Sequence, residues 1–182
     1  TGDNQARRER VGIYRIPEPH PTANESAVAE YLPVRYPDGP RDAEALFVLP
    51  GERIFLVTKG RVGNAELYRY PPPLRPDEVV MLEGVLAEGP VPLEEQITGA
   101  GASPSGDWVA IRSYKRLRIW APDELVSGGE PALTADLTPL GEVQGEAVAL
   151  LDNGAVVLTS EGGFPGARGT LSLVECPLAP PS

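Results

Sequence analysis

Short apolar runs separated by glycine and proline turns organise this chain. The unit is clearest from Asp42 to Pro71. An apolar run from Ala43 to Leu49 meets a Pro50-Gly51 turn, a second run spans Ile54 to Lys59, and a third follows a glycine-containing turn, from Glu66 to Tyr70. Apolar runs of this length, bounded by turn residues, predict strands, and three joined by tight turns predict an antiparallel meander.

The unit repeats. Ile13-Tyr-Arg-Ile-Pro17, Leu67-Tyr-Arg-Tyr-Pro71, Leu117-Arg-Ile-Trp-Ala-Pro122 and Leu171-Ser-Leu-Val-Glu-Cys-Pro177 each read as a short strand closed by proline, and their starts lie 54, 50 and 54 residues apart. That spacing lies at the upper end of the roughly 40–50-residue blade periods of propellers. Each of the last three copies follows the same pair of runs: Ala43 to Leu49 with Ile54 to Lys59, Ile97 to Ala102 with Trp108 to Tyr114, and Glu146 to Leu151 with Ala155 to Ser160. Their turns at Pro50-Gly51, Pro104-Ser105-Gly106 and Asp152-Asn153-Gly154 suit hairpins, because glycine and asparagine tolerate positive φ. A fourth strand is expected near Ala29 to Tyr36, Val79 to Leu86 and Ala132 to Val143.

The expected fold is therefore all-β, with β-propeller blades of four antiparallel strands. The chain divides into a partial blade (1–36), two complete blades (42–86 and 97–143) and an incomplete one (145–178). That makes a little over three blades, fewer than the about four to eight of closed propellers. An open arc leaves strand edges unpaired, so an N-terminal half, on the same or a separate chain, is expected to complete a ring of six.

Composition agrees. The 182 residues are 41% hydrophobic and 23% charged, as in a globular domain, and the 20 glycines and 21 prolines punctuate the runs instead of forming one tract. The net charge of −10 excludes a phosphate-neutralising surface and with it a nucleic-acid partner. The same charge reads either as a solubility device or as affinity for cations. No apolar run approaches the ~20 residues that span a bilayer, and no signal peptide or lipidation motif is visible. The sequence opens at Thr1 without methionine, which reads as a processing boundary or as an N-terminal threonine nucleophile. Cys176, the lone cysteine, reads either as a half-buried thiol or as one half of a disulfide to the absent half.

Gly2-Asp-Asn-Gln-Ala-Arg-Arg8, Tyr36-Pro-Asp-Gly-Pro-Arg-Asp-Ala-Glu-Ala-Leu46, Val57-Thr-Lys59, Ala102-Ser-Pro-Ser-Gly106 with Arg112-Ser-Tyr114, and Gly145-Glu-Ala-Val148 with Thr159-Ser-Glu-Gly162 carry a resemblance. They resemble the C-terminal half of secreted bacterial β-propeller proteins, distantly similar to phytase-like and esterase-like propellers. The resemblance implies an extracellular, periplasmic or envelope-anchored protein; it specifies a fold and leaves the activity open.

In a propeller the first strands line the channel and second-strand ends reach its mouth. Glu44 and Glu146 stand at equivalent inner-strand starts, where the middle blade offers Gly99-Ala-Gly-Ala, and Asp42 lies nearby. Thr58-Lys59, Arg112-Ser113 and Ser160-Glu161 stand at second-strand ends, with Tyr114 beside them. Asp42, Lys59, Arg112, Tyr114, Ser160 and Glu161 are thus expected to line a ligand-binding mouth. Glu44 and Glu146, with Asp3, Asn4 and Asp42, are the oxygen donors available to Ca²⁺. The competing expectation pairs Glu44 and Glu146 with Lys59 and Arg112 or with exposed backbone amides, fastening the inner strands around a solvated channel. His20, the sole histidine, sits in Pro-Glu-Pro-His-Pro and offers no triad or zinc site. The expected function is a binding or interaction module for a protein or glycan; the alternative is a metal-dependent phytase-like or esterase-like hydrolase.

Overall fold

Turn residues and apolar runs resolve into strands that assemble as four sheets of three or four strands each. The computed structural model describes residues 3, 5, 7–60, 64–85, 96–163, 166 and 168–178. In the first sheet β1 (Val11–Arg15) pairs antiparallel with β2 (Glu30–Arg35). In the second, β3 (Ala43–Leu49), β4 (Arg53–Thr58) and β5 (Leu67–Arg69) form the expected meander.

The fourth strand expected at Val79 to Leu86 is instead split between two sheets. β6 (Val80–Met81) joins the first sheet, parallel to β2, whereas β7 (Glu83–Gly84) lies beside β5 in the second. The cause is burial. Val80 and Leu82 both enter the apolar layer between these sheets, and Leu82 donates its amide to the Arg35 carbonyl at 2.9 Å before the chain crosses over. Leu86 lies outside the described residues.

The third sheet contains β8 (Ile97–Ala102), β9 (Val109–Ser113), β10 (Arg116–Trp120) and β11 (Leu133–Asp136). Its outer strand is shorter than the 132–143 run expected, because Pro139, which has no amide proton to pair, falls in a 3-10 turn over Thr138–Leu140. A short helix, α1 (Pro122–Ser127), precedes β11, with proline in its first turn and Gly128 ending it at φ 78°. The fourth sheet holds β12 (Gln144–Leu150), β13 (Ala155–Glu161) and β14 (Thr170–Glu175).

The sheets stack face to face over three apolar layers, and this explains why some runs are continuous and others alternate. In β4, Ile54 and Leu56 enter the layer against the first sheet, while Phe55 and Val57 enter the layer against the third. In β9, Val109 and Ile111 face one way and Ala110 the other. Strands covered on both faces read as unbroken apolar runs. In β13, by contrast, burial alternates, with Val156 and Leu158 fully enclosed. Its neighbour β14 leaves Leu171 and Leu173 exposed.

Inner strand β8 lies between β3 and β12. The three run in the same direction: Ser105 in the β8–β9 turn donates its amide to Asp152 in the β12–β13 turn at 2.8 Å, and Gly106 adjoins Pro50 in the β3–β4 turn. Four sheets stacked in this way, antiparallel except where β6 joins β2, form an arc of propeller blades. No helix among the described residues is long and apolar enough to cross a membrane.

Candidate functional site

The end of the arc opposite those turns is where the inner strands begin, and each begins with the same irregularity. Ala43 pairs with Thr58 and Ala45 with Val57, leaving Glu44 as an extra residue. Ile97 pairs with Ser113 and Gly99 with Arg112, leaving Thr98. Gly145 pairs with Ser160 and Ala147 with Thr159, leaving Glu146. A bulge of this kind breaks the alternation of side chains and re-aims the extra residue. The counterpart of Glu44 and Glu146 in the middle blade is therefore Thr98, one residue before the Gly99 expected from sequence.

Gly99 has a different task. A Cβ there would lie 2.5 Å from the Glu146 carbonyl oxygen, so the glycine lets β12 approach β8 closely. The same register aligns Thr58, Ser113 and Ser160, three buried hydroxyls. Thr58 accepts the Glu66 amide at 2.8 Å, Ser113 the Arg116 amide at 3.0 Å, and Ser160 the Gln144 amide at 3.2 Å. Each hydroxyl fixes a chain entry at the mouth. One residue further on stand Lys59, Tyr114 and Glu161: a buried cation, a half-buried phenol and an exposed carboxylate.

Of the two ion pairs expected here, one forms. Lys59 Nζ lies 3.3 Å from Glu44 Oε1, with side-chain exposures of 10% and 26%. The Lys59 amide donates to the Asp42 carbonyl at 2.7 Å, and its own carbonyl accepts from Ile97 at 2.9 Å, tying the second blade to the third. Asp42 accepts the Asp3 amide at 3.0 Å, and Asp3 accepts the Arg8 amide.

The pairing of Glu146 with Arg112 does not form. Glu146 instead accepts from Gln144 Nε2 at 2.6 Å, and Arg112 turns inward to Glu142, with Nη2 to Oε2 at 2.6 Å. Arg112 and Glu142 are sealed, at 0% and 2% side-chain exposure. The remaining guanidinium donors reach the carbonyls of Ser113, Ala147 and Thr159 at 3.2–3.5 Å. Gly145 makes this possible, since a Cβ there would fall on Arg112 Nη2. Arg112 lies two positions before the row occupied by Lys59, Tyr114 and Glu161, level with Val57 and Thr159, and every nitrogen of its guanidinium is engaged.

A second polar group flanks Lys59. Arg41 Nε donates to Glu66 Oε2 at 2.6 Å, the Tyr68 hydroxyl donates to the same oxygen at 3.1 Å, and Tyr36 meets Tyr68 edge to face at 4.8 Å. Burial, followed by the Glu66 charge, pushes the Tyr68 phenol up to about 12. Burial, followed by Tyr68 and Asp42, raises Tyr36 further still. The hydroxyls of Tyr36 and Thr98 are buried with no hydrogen-bond partner among the described residues. No group of three acids, histidines or cysteines gathers as metal ligands among those residues; Asn4 lies outside them. His20 is exposed in the β1–β2 connection, close to Thr22. Cys176 is buried in the last apolar layer, and that burial raises its thiol pKa.

No protein-family model matches this sequence. No curated protein matches it either. Solved structures do. The chain is similar to a luciferin-regenerating enzyme, at 13% identity and TM-score 0.54, over 82% of this chain and 51% of that one. It also matches the PQQ-bound aldose sugar dehydrogenase of Streptomyces coelicolor at 12% identity and TM-score 0.47, over 80% and 51%. The periplasmic gluconolactonase of Pseudomonas aeruginosa matches at 10% identity and TM-score 0.46, over 94% and 50%. The first likeness is one of propeller fold alone; the other two superpose more loosely and carry nothing further. The chain spans about half the length of each of these structures.

Proposed function

We propose that this chain is part of a β-propeller, completed to six blades by a further half, whose mouth at Glu44, Thr98 and Glu146 binds a protein or glycan partner outside the cytoplasm. The observation that carries the reading is the triple bulge. Three adjacent inner strands each carry one bulge residue, Glu44 and Glu146 partly exposed and Thr98 buried between them, and each bulge lies beside a buried hydroxyl with Lys59, Tyr114 or Glu161 next to it. A rigid row of acceptors, one cation and one phenol offers a hydroxyl-rich or peptidic ligand several fixed contacts at little ordering cost. Asp42 and Ser160 support the row from behind; Arg112, with its donors engaged, holds the third and fourth blades together. Among the described residues no nucleophile is paired with a base, which favours recognition over turnover.

One observation favours the hydrolase reading. The buried Thr98 hydroxyl, without a hydrogen-bond partner among the described residues, stands between the counterparts Glu44 and Glu146, so three oxygen donors occupy equivalent positions. With water they are the donor types Ca²⁺ takes, and a bound Ca²⁺ would polarise an ester or phosphate oxygen.

Glycan and peptide arrays, followed by calorimetry on the hits, test the proposal. A ligand weakened together by Tyr114→Ala and Glu146→Gln, at unchanged melting temperature, upholds it. Calcium-dependent turnover of phenyl phosphate or phenyl acetate, abolished by Glu146→Gln, overturns it in favour of the hydrolase.

A further inference from the structure

The opposite end of the arc carries a slot that the mouth does not use. Between the second and third blades a groove of about 390 Å³ is floored by Leu49, Ile54, Phe55 and Val85 and walled by Tyr70 on one side and Val126 of α1 on the other. Its volume falls in the range of small-ligand sites, roughly 300–1,000 Å³.

The rim is charged and asymmetric. On the second blade stand Arg53 and Arg69; on the third stands Asp123. Arg69 is held by Glu83, with Nε to Oε2 at 2.6 Å. Among the described residues Arg53, an exposed side chain, engages only its Nε, on the Pro50 carbonyl at 3.1 Å, which leaves both terminal nitrogens for a ligand. Gly84 of the outermost strand β7 also lines the groove, and a Cβ built there would meet nothing within 4 Å, so backbone lies open at the wall.

From these features we infer that the groove between the second and third blades is a docking site for a short extended peptide bearing an apolar side chain next to an aspartate or glutamate. The charge argument selects the acid. On a chain of net charge −10, an unengaged guanidinium beside an apolar floor runs against the prevailing sign, and it matches a carboxylate in bidentate geometry. Asp123 on the facing rim accepts amide protons, which an extended backbone supplies and a simple apolar anion lacks. The apolar side chain fills the floor, where Phe55 and Leu49 already belong to the layer between the two blades. This site is independent of the mouth, so either can fail without the other.

The test is a fluorescence-polarisation titration of the intact chain. One probe set is labelled hexapeptides with leucine or phenylalanine alternating with aspartate; the other is the same set with lysine for aspartate. The acidic set is expected to bind and the basic set not. Arg53→Glu should weaken the acidic set by roughly tenfold or more, since it removes the bidentate donor and sets a carboxylate against that of the peptide. Asp123→Lys should leave the acid preference intact while altering affinity, and Glu146→Gln at the mouth should change nothing. Equal binding of both sets, an unaltered affinity in Arg53→Glu, or binding of dodecanoate with neither peptide set would overturn the inference.

Discussion

Two acid–base pairs stand near the same mouth, one in the second blade and one where the third meets the fourth, and they have opposite characters. Lys59–Glu44 is a single 3.3 Å contact with the glutamate about a quarter exposed. Arg112–Glu142 is bidentate, sealed from solvent, and completed by backbone carbonyls from three residues. The first arrangement can exchange its internal partner for a ligand at small cost. The second cannot, because either charge left alone in that interior loses far more than it regains. A basic residue at a second-strand end is thus available for binding or committed to architecture according to whether its neighbour strand makes room for it, and Gly145 makes that room.

Removing Arg112 should break the contrast most forcefully. Arg112→Met leaves the Glu142 charge buried and is expected to cost about 3–5 kcal/mol, measured by chemical denaturation. Adding Glu142→Leu should restore most of the loss. Gly145→Ala comes next, crowding the guanidinium without removing it, at about 1–3 kcal/mol. In the Arg112→Met background the same substitution should cost much less, and an unchanged cost would show that Gly145 serves some other contact.

Alkaline pH probes the Tyr36–Tyr68 group beside the open pair. Both phenols hold their protons more tightly when folded than at the ordinary value of about 10, so the folded state binds more protons above that pH. Stability from Tyr68 is fully present below pH 10 and should fall as pH rises from about 10 through about 12. Tyr68→Phe should flatten the fall, read by thermal melts across that window. The smallest effect belongs to Lys59→Met, expected to cost about 1 kcal/mol, since the Glu44 carboxylate it leaves behind is about a quarter exposed and keeps contact with solvent. A loss as large as that of Arg112→Met would erase the distinction between the two pairs.

Much of the architecture was legible because its signals are local. Pro50-Gly51 and Asp152-Asn153-Gly154 mark turns whatever surrounds them, and the unbroken run Ile54 to Val57 already implies a strand covered on both faces. The α1 signal was present too, in the proline at 122 and the glycine at 128. What local pattern cannot carry is register. Aligning Glu44 with Gly99 is off by one residue, and only strand pairing reveals that a bulge inserts Thr98. The hydroxyls of Val57-Thr-Lys59, Arg112-Ser-Tyr114 and Thr159-Ser-Glu161 gave a hint, since aligning their central residues places Arg112 opposite Val57, two steps before the Lys59 position. The identity of Arg112's partner was less accessible, because Glu142 lies 30 residues away in the approach to β12.

The divided strand β6–β7 bears on how the arc comes apart. In repeat proteins neighbouring units hold each other mainly through side-chain contact, so each can open with some independence. Here the backbone itself crosses the boundary: Met81 sits opposite Arg35 of the first sheet, and two residues later Glu83 sits opposite Arg69 of the second. Unzipping either sheet at this edge pulls on the other. Amide protons of β2 and β5 should therefore exchange with solvent together, as one cooperative unit, while the fourth blade, stitched to its neighbour through side chains such as Arg112 and Asp152, exchanges on its own schedule.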